Sequence, residues 1–151
     1  MSKEQVAAAG SFDLSSFDAV DEAEMEVYAN GQPTGWKFRI AGPGHPKTIE
    51  QSNKLAKERL RREKEQEQAR INGKRWKAPD ESVDEVLERN VNLVVDRLLG
   101  WSPVTMDGKD YPFSVENARA LLLDRRKGQL LIQALEFLGD EQSFGKRSAS
   151  N

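Results

Sequence analysis

Between Lys54 and Arg70 the chain is built almost wholly from Lys, Arg, Glu and Gln, and no other feature limits its fold so strongly. These residues are good helix formers, so the stretch predicts a long helix. Its apolar side chains are few: Leu55, Ala56, Leu60 and Ala69, with Ile71 just beyond. They draw no continuous seam, which disfavours a long coiled coil. Thr48 and Gln51 fit a capping box at the start, and Asn72-Gly73 ends the run. A helix this polar is a solvated arm or one side of an assembly contact, so the core must come from the flanks. With 37% hydrophobic and 32% charged residues in a 151-residue chain, that core is small.

Upstream, Met25-Glu26-Val27-Tyr28 alternates weakly and Trp36-Lys37-Phe38-Arg39-Ile40 alternates cleanly. The turn formers from Ala29 to Gly35 lie between, so the segment predicts a β-hairpin with Trp36, Phe38 and Ile40 on one face. A lone hairpin is marginal in water, so that face needs a cover from helices, a third strand or another chain. Phe12, Leu14 and Phe17 crowd three large apolar groups into an acidic stretch and suggest a docking element. Gly42-Pro43-Gly44-His45-Pro46 breaks the structure before the long helix.

Downstream lies the clearest helical core. Ser82 and Glu85 make a second capping box. Val83, Val86, Leu87, Val91, Val94, Leu98 and Leu99 then share one broad helical face, ended by Gly100. Asp107-Gly108 is a turn that can join two very short strands. Ser114 is a good N-cap for a helix carrying Ala118, Leu121, Leu122 and Leu123. Leu130, Leu131, Ile132, Leu135, Phe137 and Leu138 form the last apolar run before Gly139. The expected fold is therefore mainly α with a small N-terminal β-hairpin or sheet, a charged helical arm and a compact C-terminal helical unit. The expected division is a disordered N-terminus at 1–11 and a hairpin segment at 12–45. The arm follows at 46–78, the helical unit at 79–139 and a polar tail at 140–151.

Few functions find chemistry here. The chain has no cysteine and one histidine, so thiolate chemistry and a multi-histidine metal site within one subunit are excluded. His45 reads as a turn residue between Gly44 and Pro46. Gly42-Pro43-Gly44 lacks the Gly-Lys-Ser/Thr of a phosphate loop, and Asp107-Gly108-Lys109-Asp110 lacks the ligand series of a calcium loop. No catalytic residue and no cofactor is expected. No apolar run approaches a membrane span, and Met1 to Ala9 carries no apolar stretch of a signal peptide.

Charge is laid out in blocks, acidic over residues 1–30, basic over 31–79 and mildly acidic thereafter, although the net value is only -2. Such blocks can fold the arm back on the body or pair subunits head to tail into a homo-oligomer. Simple solvation of exposed faces is the plainer reading. Arg59, Arg61, Arg62 and Lys74-Arg75-Trp76-Lys77 raise nucleic-acid binding, but Glu58, Glu63, Glu65 and Glu67 interleave with the basic residues and argue against it.

In its order of features the chain resembles the tail assembly chaperones of long-tailed bacteriophages. The likeness is carried by Met25-Glu26-Val27-Tyr28, a turn and Gly35-Trp36-Lys37-Phe38-Arg39-Ile40-Ala41-Gly42, then a charged helical middle. Arg89-Asn90-Val91-Asn92-Leu93-Val94-Val95-Asp96-Arg97-Leu98-Leu99-Gly100-Trp101 and the stretch from Tyr111 to Leu122 follow. A closing apolar helix and a polar tail with an exposed aromatic, here Phe144, complete it. It spans residues 20–145, and the arm at 54–70 is longer and more polar than the family pattern requires. The resemblance implies a non-enzymatic factor of the infected bacterium's cytoplasm. Such a factor coats the tape-measure protein, helps recruit tail-tube subunits and leaves before the virion matures. Rival readings are a structural head–tail or tail accessory protein of the virion and a small nucleic-acid-binding regulator. The expected binding surface is Trp36, Phe38 and Ile40 of the hairpin with Leu130, Leu131, Leu135, Phe137 and Leu138 of the last helix. The alternative for each is ordinary core.

Overall fold

A computed structural model describes residues 11–145 of the chain. Residues 1–10 of the N-terminus expected to be disordered, and the last six residues of the polar tail, lie outside the described residues.

Two strands, β1 (Glu22–Ala29) and β2 (Gln32–Ala41), pair antiparallel as expected. Their turn is shorter than the turn-rich stretch suggests. Asn30 and Gly31 alone make it, both at positive φ (54° and 79°), which only such residues adopt readily. The strand then runs on through Pro33 and Gly35, with a register shift between Glu26 and Tyr28. A third strand, β3 (Leu98–Trp101), pairs antiparallel with the other side of β2 and makes β2 central. Among the described residues there are four α-helices, α1 (Pro46–Ile71), α2 (Val83–Val95), α3 (Val115–Leu123) and α4 (Gly128–Gly139), and three short 3₁₀ turns. A two-stranded ribbon, β4 (Thr105–Met106) with β5 (Lys109–Asp110), turns at Asp107-Gly108.

This corrects the expected fold class. Of the described residues 52% are helical and 19% lie in strands, so the fold is mixed α and β and not mainly α. The reason lies at residues 98–101, read from the sequence as the end of a helix. Leu98 and Leu99 satisfy a helical face, but the chain leaves α2 at Val95 and Leu98 enters the sheet. Short apolar runs fit either periodicity, and only the free edge of β2 decides between them.

One face of the sheet carries Ala23, Met25, Val27, Phe38, Ile40 and Leu98. It packs on Val91, Val94 and Val95 of α2, Ala118 and Leu122 of α3, and Leu131 and Ala134 of α4. Each large side chain so buried contributes about 1.5–3 kcal/mol. The hairpin's cover is therefore internal, and its core is shared with residues 79–139. The opposite face is charged, with Arg39 beside Glu22 (3.3 Å) and Lys37 beside Glu24 (4.0 Å).

Caps set the helix starts. Ser82 Oγ accepts the Glu85 N–H (3.1 Å) and Glu85 Oε1 accepts the Ser82 N–H (2.8 Å), the reciprocal pair expected. Ser114 Oγ accepts from Asn117 N–H (2.9 Å). The capping box assigned to Thr48 is not used. His45 is the N-cap of α1, its Nδ1 accepting from Lys47 N–H (3.1 Å), with Pro46 as the first helical residue. Thr48 and Gln51 instead face the body, where Gln51 Nε2 donates to the Leu93 carbonyl (3.0 Å). Lys54 pairs with Asp96 (3.3 Å), and past it Leu60 and Ile71 are exposed. Among the described residues no hydrogen bond or ion pair joins the arm to the body past Lys54, although Leu55, Glu58, Arg61 and Arg62 still line a cleft against α2. Phe144, expected as an exposed aromatic, is buried beside Phe137, with the Arg97 guanidinium over its ring.

Candidate functional site

The expected binding residues divide sharply. Phe38 and Ile40 are 0% and 1% exposed and Leu131 is buried, so none of the three offers a surface. Alternation placed Phe38 and Ile40 on one face correctly, but three helices cover that face. Leu135, Phe137 and Leu138 are half-buried against the same core. Trp36 and Leu130 are the two that come together at a surface, where both line a groove of about 750 Å³ at the tip of the hairpin.

Three elements build this groove. The hairpin gives Val27, Tyr28 and Trp36, the β3–β4 connection gives Pro103 and Val104, and the start of α4 gives Leu130 and Gln133. Its lining is mostly apolar, with Lys127 the one charged side chain among the lining residues. Each wall is held by hydrogen bonds. Trp36 Nε1 donates to the Ser102 carbonyl (3.0 Å), and its ring meets Phe38 and Trp101 edge-on (4.9 and 5.5 Å between centroids). Thr34 Oγ1 donates to the Val27 carbonyl (2.6 Å) and accepts from Trp36 N–H (3.1 Å).

Gln133 is the residue that sequence reasoning missed. Its side-chain amide donates to the Tyr28 carbonyl (2.8 Å) and its oxygen accepts the Tyr28 N–H (2.7 Å). It acts as a surrogate strand on the edge of β1, satisfying backbone groups that an open sheet edge leaves free. The available signal was a polar residue among the apolar ones of the last helical run, a pattern it shares with Glu136.

At the rim, Asp124 accepts from Arg126 and Lys127 (3.1 and 3.0 Å to Oδ2). Hydrogen bonds from Arg126 and then Lys127 hold its carboxyl well below the usual carboxylate range, and Asp124 in turn raises Arg126. Arg97, at the far end of the sheet, is lowered by burial. Among the described residues no group of three or more His, Asp or Glu side chains is placed to hold a metal ion. Some of the arm's basic groups are matched by acids: Lys54 pairs with Asp96 (3.3 Å), Arg61 with Glu65 (3.0 Å) and Arg70 with Glu67. Trp76 is half-buried, outside any helix or strand.

Comparison with protein-family models, with curated proteins and with solved structures returns no match.

Proposed function

We propose that this chain is a non-enzymatic assembly factor, a tail assembly chaperone of a long-tailed bacteriophage. In this reading it works in the cytoplasm of the infected bacterium and holds apolar segments of the tape-measure protein in solution. It also helps recruit tail-tube subunits. The observation that carries the reading is the groove at the hairpin tip. It is apolar, preformed by hydrogen bonds on three sides and rimmed by charge. Amphipathic helices dock in such grooves through side chains spaced three and four residues apart. The charged faces of the sheet and of α1 keep the complex soluble while the groove takes the apolar side chains.

Co-expression with a long, helical tape-measure-type partner tests this. The chain is expected to raise the partner's soluble yield, and the gain is expected to survive moderate salt, because screening weakens exposed ion pairs more than apolar contacts. Tyr28→Glu with Thr105→Glu, both exposed on the groove, should abolish the gain. Arg59→Ala, Arg61→Ala and Arg62→Ala together should leave most of it. Loss in the arginine variant alone, with steeply salt-dependent DNA or RNA binding, would establish the regulator reading instead. Recovery of the chain from purified virions would establish the structural one.

A further inference from the structure

Phe12, Leu14 and Phe17 are 64%, 73% and 76% exposed, a denser group of bare apolar side chains than any other stretch of six residues described. They are presented as a unit. Asp13 caps a 3₁₀ turn over Leu14–Phe17 by accepting from Ser15 N–H (3.0 Å), and the Phe12 and Phe17 rings meet edge to face at 5.4 Å. An ordered turn with its apolar groups outward is the shape of a ligand, and the groove at the hairpin tip is the shape of a receptor.

We propose that the groove at the hairpin tip takes the Phe12–Phe17 turn of a second copy of this chain, head to tail. Charge supports that occupant. The turn sits among Asp13, Asp18 and Asp21, while the groove's charged lining residue is Lys127, with Arg125 and Arg126 exposed on the same turn of chain. Arg126 and Lys127 share Asp124 and Arg125 pairs with Asp84, so the three cations face two carboxylates.

Geometry excludes the chain's own turn as the occupant. Val20 N–H donates to the Phe144 carbonyl (2.8 Å) and Gly42 N–H to the Asp21 carbonyl (2.7 Å), which pins the chain at the base of β1. Phe17 lies three residues before Val20, a reach of at most about 11 Å. Tyr28, on the groove, lies eight residues beyond Val20, about 26 Å away along an extended strand. The compact turn cannot cross that distance, so it cannot fill the groove of its own chain. Contact between two different surfaces is heterologous. It continues from copy to copy into a ring or an open chain. The same groove is used here as in the function proposed above, but nothing in this inference depends on the client.

Sedimentation of the full chain over a range of concentrations tests it. The average mass should rise with concentration. Phe12→Ser, Leu14→Ser and Phe17→Ser together should leave a monomer, and so should Tyr28→Glu with Thr105→Glu. An equimolar mixture of the two variants has one intact turn and one intact groove per pair, so it should form a dimer and nothing larger. If the groove variant fails to fold by circular dichroism, Lys127→Glu replaces it. The idea is overturned if the native chain stays monomeric, if association survives the serine variant, or if the mixture of folded variants stays monomeric. Dimers in the mixture with no client solubilisation would sink the chaperone reading alone. Client solubilisation by a strictly monomeric chain would sink this inference alone.

Discussion

The sheet with its three packed helices and the helix α1 are held together by opposite means. In the body, Phe38, Ile40, Leu98, Val91 and Leu122 come from four elements, with β2 separated from the other three by the whole of α1, and each is covered by the others. In α1, 26 residues and about 39 Å long, the body holds Thr48, Gln51 and Lys54, and the rest is supported by its own propensity and by pairs such as Arg61–Glu65. Exposed pairs of this kind are worth at most a few tenths of a kcal/mol. The contrast teaches that a long helix in this chain is no measure of where its stability lies.

The largest test strikes the body. Phe38→Ala should lower the unfolding free energy by about 3–5 kcal/mol, read from the shift in urea midpoint. Hydrogen exchange in the native protein should be slowest in β2 and α2 and fast in residues 63–71. Equal protection in both would show that arm and body are one cooperative unit, and the comparison would collapse. Next comes the joint between them. A Cβ on Gly42 would lie 2.0 Å from the Val20 carbonyl oxygen, a backbone atom with little room to yield. Gly42→Ala should therefore destabilise by about 1–3 kcal/mol, and a neutral result would mean that the chain crosses this corner loosely.

A smaller effect separates the regions by location. Arg62→Gly, in an exposed helix interior, weakens α1 locally by about 1 kcal/mol. Helical ellipticity should fall while the urea midpoint of the body stays put, and a matching fall in midpoint would count against an independent arm. The smallest concerns Asp124 at the groove rim. Its folded pKa is depressed by Arg126 and Lys127, so its stabilising contribution is present above its unfolded value and lost as pH falls through the folded one. Asp124→Asn should lower Tm slightly at neutral pH, with the gap to the native chain closing in strong acid. A gap that widened in acid would reverse the assigned sign.

Wherever a few neighbouring residues decide the conformation, the sequence alone determined the outcome. Asn30-Gly31 and Asp107-Gly108 turn because their backbones accept positive φ. Ser82 with Glu85, and Ser114, start helices because a side-chain oxygen sits within reach of free N–H groups. The arm helix needed nothing beyond its composition. Tertiary structure decided whatever depended on a distant partner. Leu98–Trp101 became a strand because β2 offered it an open edge, and His45 displaced Thr48 as the cap because Thr48 and Gln51 were drawn onto the body. Phe144 left solvent for Phe137 and Arg97. The candidate site followed the same rule. Trp36 and Leu130 are legible as apolar residues at 36 and 130, but their meeting at one groove, and Gln133 bonded to Tyr28, arise from packing α4 against β1. Local hydrogen bonds and backbone sterics act over a few residues of chain, whereas burial is a property of neighbours that folding alone brings together.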